Sequence, residues 1–223
     1  MIAGRVLLSQ CGTEVPREPK LTLQQLKQQS GHLFRVADAR ARALLEPTVN
    51  GMPTLAGDSS IRVLFRPRLT MFRRRLRSGE DCGTPVHAGS DLRLRTMTLE
   101  SELIEHPGEL RRIFVHEAFH FAWYRFGNPR RRAWEALLES EIVDRRSGEL
   151  GWSSETRKKS LDATDHGNRT RRWREYVCES FCDTAAWMYS GLASHEEFTL
   201  PRAQRRRRAE CVTNLLGDRP VRV

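Results

Sequence analysis

The sequence predicts an α+β fold, mostly helical, with a small sheet toward the N-terminal side and helices filling the C-terminal half. Three observations carry that prediction. Apolar residues alternate at Ile61, Val63 and Phe65, and again between residues 92 and 99, the period of strands with one buried face. From Pro107 onward the period changes to that of helices, and glycines and prolines divide the stretch into separate segments. The composition, 39% hydrophobic and 30% charged over 223 residues, is that of one globular domain with a sizeable core.

Taken in order, residues 1–20 carry Pro16 and Pro19 without periodicity and read as a flexible N-terminal arm. Leu23, Leu26, Leu33, Val36, Ala37 and Leu44 recur at helical spacing, so residues 21–45 read as an amphipathic helical region that Pro47 and Gly51 end. Strands are expected around 61–65 and over 92–99. A strongly apolar helix follows at 109–126, closed by Gly127, with Asn128 and Pro129 opening the next. That next helix buries Trp134, Leu137, Leu138 and Ile142 and stops at Gly148. Residues 153–168 are polar, with room for one short helix, and a long helix is expected from 170 to 189, ended by Gly191. The domain is expected over 21–200, and 201–223 as a basic C-terminal tail carrying Arg205 to Arg208.

Charge and cysteine usage narrow the function classes. No run approaches the roughly 18 apolar residues of a membrane span. The start of the chain is a poor leader, because Arg5 breaks its apolar stretch and Gln10 is not small. Five scattered cysteines do not form a disulfide framework, so a cytoplasmic location is expected. The net charge is +10, almost all of the cations being arginines, which suits acidic or nucleic-acid partners. Solvated arginines of a GC-rich genome are the plainer reading, because the clusters at 73–75, 130–132 and 205–208 are dispersed.

The chemistry centres on His116-Glu117-Ala118-Phe119-His120, an HExxH motif inside the 109–126 helix. Histidines four apart on a helix share a face and can bind one ion, and the intervening glutamate reaches a water on that ion without coordinating it. Apolar neighbours on nearly every side, from Ile113 to Trp123, make the helix central and leave Glu117 without a local cation. A catalytic zinc takes three protein ligands, so a third must come from another element. Glu175, Glu179 and Asp183 form an acidic column at four-residue spacing on the 170–189 helix, in a run with no lysine or arginine between Glu175 and Pro201. A metal ion facing the column satisfies it; arginines from elsewhere, such as Arg125 or 130–132, are the alternative.

This pattern resembles the zincin metallopeptidases, in the gluzincin arrangement of HExxH followed by a glutamate on a later helix. The resemblance runs over roughly residues 92–189. In one register Glu179 is the third zinc ligand, with Asp183 and Glu175 beside it in a supporting role. In the other, similar to lethal-factor-like toxin peptidases, Glu175 is the ligand. The Glu179 register is preferred because it sets the ion in the middle of the column.

The resemblance implies one Zn²⁺, a peptide or protein substrate, hydrolysis by a zinc-activated water with Glu117 as general base, and an extended peptide lying along a strand that precedes the motif helix. It also implies an oxyanion donor, for which Tyr176, Tyr189, His166 and His195 are available, although His166 also reads as a solvated surface histidine. Cys178 and Cys182 read as small packed residues, with a second metal site or redox switch as the other possibility. Two further readings stand beside the peptidase: a basic nucleic-acid-associated protein with a structural HExxH, and an inactive zincin fold retained for binding.

Overall fold

The computed structural model describes residues 33–73, 75–79 and 83–223, and it is a mixed α+β structure. Short strands occupy the first part: β1 (Phe34–Val36), β2 (Leu55–Ala56), β3 (Ile61–Arg66), β4 (Leu69–Phe72), β5 (Arg75–Ser78), β6 (Thr84–Pro85), β7 (Ala88–Asp91) and β8 (Thr96–Glu100). Helix α1 (Ala39–Gly51) lies among them. A 3-10 turn (Ser101–Glu105) leads to α2 (Pro107–Arg125), α3 (Asn128–Val143), α4 (Trp152–Lys159), α5 (Arg171–Tyr189) and α6 (Arg202–Leu216), and β9 (Val221–Arg222) ends the chain. No helix among the described residues is long and apolar enough to cross a membrane.

The main sheet has the order β1-β3-β8-β7, parallel except for the β7–β8 hairpin, so β7 is an edge strand. Its β7–β8 register sets Ala88 opposite Leu99 and Ser90 opposite Met97. Met97, Leu99, Ile61 and Val63 are fully buried against the helices, as the period-two pattern requires. A second sheet, β5-β4-β6, stands beside β7, where Leu76 of β5 lies close against Gly89.

Helix α2 is apolar almost all round and fully buried at Phe114, Val115, Ala118 and Phe119. Its main partner is α5, joined to it by stacking of Phe119 on Tyr189 (5.6 Å between rings) and by tilted packing of Trp123 on Phe181 (5.2 Å). Helix α3 locks on through Trp134, whose indole N–H donates to the Val177 carbonyl at 3.1 Å.

Several elements differ from the sequence reading. Residues 21–32 of the expected 21–45 helix, and the 1–20 arm, lie outside the described residues; the remainder is β1 followed by α1. Asp38 is the reason for the switch: its carboxylate accepts from the Ala41 N–H at 2.8 Å and starts α1 there. Pro47 sits inside α1 rather than ending it, since Ala41, Leu45 and Thr48 anchor one face on the core. The strand expected over 92–99 begins at Thr96; Asp91 Oδ1 accepts from the backbone N–H of Arg93 (3.0 Å) and Leu94 (2.9 Å) and folds 92–95 into a turn. Gly127 caps the start of α3 rather than the end of α2, and α3 stops at Val143 instead of Gly148.

The largest correction concerns residues 201–223, which are no tail. They form α6 and β9, and β9 pairs with β2. Arg208 of α6 is fully buried between Glu141 of α3 (2.6 Å) and Glu149 (2.5 Å), both also fully buried. Lys158 (2.9 Å) and the Tyr176 hydroxyl (2.7 Å) complete the shell of Glu149. Burial pushes the Glu149 carboxyl up, but Arg208 and Lys158 outweigh it and bring the pKa down to about 2.

This network makes a pH-resolved prediction. Arg208→Leu strands two buried carboxylates and should cost about 3–5 kcal/mol at neutral pH. The Glu149 pKa is depressed from 4.5 to about 2, so the stability it confers is present above 4.5 and is lost as pH falls toward 2. In the variant that contribution is missing from the start. Urea unfolding should therefore show a deficit that is large at about pH 7 and shrinks toward about pH 3; an equal deficit at both would exclude the network as its source.

Candidate metal centre

Helices α2 and α5 run antiparallel, so that His116 faces Asp183 and His120 faces Glu179. Four residues on an α-helix turn through about 400°, so a column at this spacing drifts roughly 40° per step. Glu179 and Asp183 therefore share the face toward α2, whereas Glu175 has rotated out of it. Glu175 is exposed and pairs with Arg171 one turn away at 2.6 Å. Neither role expected of Glu175, third ligand or supporting acid, is compatible with that position.

The other acids meet the histidines. His116 Nε2 and His120 Nε2 lie 3.1 Å apart, and Glu179 Oε2 is 3.3 Å from the first and 3.9 Å from the second. Ligand atoms around a tetrahedral zinc, at bonds of about 2.0–2.2 Å, stand on the order of 3.4 Å apart. The three donors bracket that spacing, and two imidazoles with a carboxylate form a typical catalytic zinc set. The residues fit the ion.

Each donor is also held from behind. Asp183 Oδ1 is 2.7 Å from His116 Nδ1 and leaves Nε2 facing inward. Cys178 Sγ stands 3.5 Å from His120 Nδ1 and does the same for the second ring. Glu179 offers Oε1 to Arg157 at 3.3 Å, and the Ser153 hydroxyl donates to its Oε2. Asp183 Oδ2 in turn accepts from the Ser154 N–H at 2.9 Å near the start of α4. Gly151 permits this approach: a Cβ there would overlap the Asp183 carboxylate. So α4 is seated on the same acid that orients His116.

The electrostatics follow from this crowding. Burial pushes His116 down, yet Asp183 and Glu179 outweigh it and hold the imidazolium well above its ordinary range. Burial likewise lowers His120, and Cys178 with Glu179 bring it up to about 9. Glu179 is held well below the usual carboxylate range despite burial, by His116, His120 and Arg157.

Glu117 lies beside the donors, 8% exposed, and accepts from the Ser90 hydroxyl of β7 at 2.6 Å. A cleft of about 420 Å³ opens here, lined by Glu117, Glu179, Ser90, Ser153 and Arg157 among others. None of the four expected oxyanion donors lines it. Tyr176 is fully buried on Glu149, Tyr189 stacks on Phe119, His166 packs edge-on to Trp173, and His195 pairs with Glu109 at 2.6 Å. Each of these side chains is committed to packing or to an ion pair outside the cleft. Arg157 is its one guanidinium among the described residues.

Ser90, Ser153, Arg157 and Cys178 are the residues that spacing missed or underrated. The first three lie on a strand and a short helix whose approach to the histidines no local pattern encodes; Cys178 was visible only as half of a four-apart pair. Two further clusters of ligand-type side chains exist among the described residues. One, His120 with Cys178 and Cys182, shares a histidine with the main centre. In the other, Glu109 with His195 and Glu197, Arg112 occupies the carboxylates at 2.7 and 2.8 Å. No protein family, no curated protein and no solved structure matches this chain.

Zinc affinity measured by chelator competition should rank the acids. His116→Ala and Glu179→Gln should abolish tight binding, Asp183→Asn should weaken it by about 10–100-fold, and Glu175→Gln should leave it unchanged. A large loss in the Glu175 variant with none in the Glu179 variant would reverse the ligand assignment.

Proposed function

We propose that the protein is a zinc-dependent metallopeptidase of zincin type, gluzincin-like in its ligands, with His116, His120 and Glu179 holding one ion. The observation that carries this reading is the convergence of two Nε2 atoms and one carboxylate oxygen within 3.9 Å, next to a glutamate in an open cleft. Zinc held there supplies a Lewis acid for the scissile carbonyl and lowers the pKa of water to about 7.

The chain's own residues supply the rest. Glu117 takes the proton given up by the attacking water and delivers it to the departing amine. Ser90 fixes the Glu117 carboxylate through the 2.6 Å hydrogen bond and thereby couples the base to β7. As an edge strand of the four-stranded sheet, with no strand paired on its outer side among the described residues, β7 is where an extended peptide adds as a further strand. The role assigned from sequence to residues 92–99 thus moves to Ala88–Asp91. Arg157 donates hydrogen bonds to the oxyanion that forms as the carbonyl is attacked, a position the tyrosines and histidines cannot reach.

The test separates base, donor and ligand. Glu117→Gln should retain one zinc by plasma mass spectrometry and lose peptide hydrolysis by several orders of magnitude. Arg157→Ala should retain zinc and lose about 10²–10³ in kcat with a smaller change in KM. Unchanged turnover in the Glu117 variant defeats the mechanism, and zinc-free native protein defeats the metallopeptidase reading outright.

A further inference from the structure

The 420 Å³ cleft at the metal centre does not end at β7. A second depression of about 680 Å³ adjoins it, and Met71, Gly89, Ser90 and Leu92 line both. One continuous groove therefore passes along the edge strand, from Glu117 and Arg157 at one end to Arg75 and Arg93 at the other. Leu76 packed on Gly89 holds β5 against β7 and so keeps its neighbour Arg75 at the groove.

The charge of the far end is one-sided. Both Arg75 and Arg93 are exposed, and neither has a carboxylate partner among the described residues. Asp91, the one acid among the described residues that line this end, spends Oδ1 on the backbone of the turn. No aspartate or glutamate occurs between Ser59 and Gly79, the segment that forms β3 to β5. By contrast Arg40, Arg112, Arg169, Arg171, Arg172 and Arg208 are all paired with carboxylates.

We infer that this groove selects acidic peptide segments, with aspartate or glutamate side chains on one side of the scissile bond meeting Arg75 and Arg93. The inference rests on the peptidase reading for the position of the scissile bond. Ser90 touches the base and Arg93 lies in the turn just past the end of β7, so a strand paired along β7 brings its acidic residues to the arginines about two to four positions from the bond. A peptide suits the site better than a nucleic acid. The groove follows an edge strand, whose backbone N–H and C=O groups suit an extended peptide, and the one aromatic ring among its lining residues, Tyr124, is a single platform already approached by Arg125 at 5.9 Å, where a strand of bases needs several.

The test is equilibrium binding, read by fluorescence anisotropy on full-length Glu117→Gln protein loaded with zinc. Three short labelled peptides differ only in carrying Glu, Gln or Lys at the distal positions. The Glu peptide should bind about tenfold tighter than the Gln peptide, with a preference that weakens as salt rises. Arg75→Ala/Arg93→Ala should remove that preference, Arg75→Lys/Arg93→Lys should keep most of it, and Arg202→Ala/Arg206→Ala, which removes the same charge from α6, should leave it intact.

Equal binding of the three peptides overturns the inference, as does equal loss in the α6 variant. So does a single-stranded oligonucleotide that displaces the Glu peptide at lower concentration than the peptide itself. Zinc content of the same samples keeps the two readings apart: native protein that takes up no zinc but keeps the acidic preference refutes the peptidase and not the groove, and zinc-loaded protein without preference refutes only the groove.

Discussion

The structure depends on how a buried carboxylate, Asp183, is satisfied. It is 2% exposed, in the middle of the α2–α5 interface, where an unpaired charge would be severely destabilising. Its two oxygens take the His116 imidazole and the Ser154 N–H, which belong to two different helices. One acid thereby fixes the register of α5 on α2, the tautomer of His116 and the seat of α4. Because α4 also carries Ser153 and Arg157 to Glu179, the geometry of the third donor follows from the same contact. Glu197 supports the arrangement by accepting from the Trp152 N–H at 2.7 Å at the first turn of α4.

The arginines of this chain do two kinds of work that composition merges. Arg208 and Arg112 are buried cations, each joining elements far apart in sequence: Arg208 ties α6 to α3 and Glu149, and Arg112 ties α2 to Glu197. Replacing either leaves carboxylates stranded in the interior. Among the described residues Arg75 and Arg93 have no carboxylate partner, and both line a groove. A net charge of +10 is therefore a poor guide to surface function until the structural cations have been set aside.

Legibility in the sequence followed locality. His116, Glu117 and His120 are placed by one helix turn, and their relation could be read from spacing alone. The choice between Glu175 and Glu179 needed the phase of one helix against another, and the 40° drift per four residues that separates them is small enough to look like a single column. The residue proposed as oxyanion donor was not legible: Arg157 precedes Glu179 by 22 positions, in a polar stretch like any surface segment. Helix α6 was hidden for a similar reason, since its anchor, Arg208, lies within a run of four arginines of which it alone is fully buried. The strand β1 was lost to coincidence, three residues whose apolar positions also fit a helical period.

The partners behind the three donors show why the site tolerates a thiol where a carboxylate would be the common choice. His116 has Asp183 behind it, Glu179 has Arg157 and Ser153, and His120 has Cys178. A carboxylate behind His120 would be a further acid in a site that already holds Glu117, Glu179 and Asp183 and has Arg157 as its one permanent cation among the described residues. Cys182, one turn on, donates a hydrogen bond to Cys178 and, with the His120 imidazolium, brings its pKa down to about 6. The sulfur therefore carries its charge as the partner of the imidazolium, and the two form a neutral pair in the interior. Two acids and two imidazoles thus share one interface, and on the proposed reading a divalent cation bound among them would balance the charge that remains.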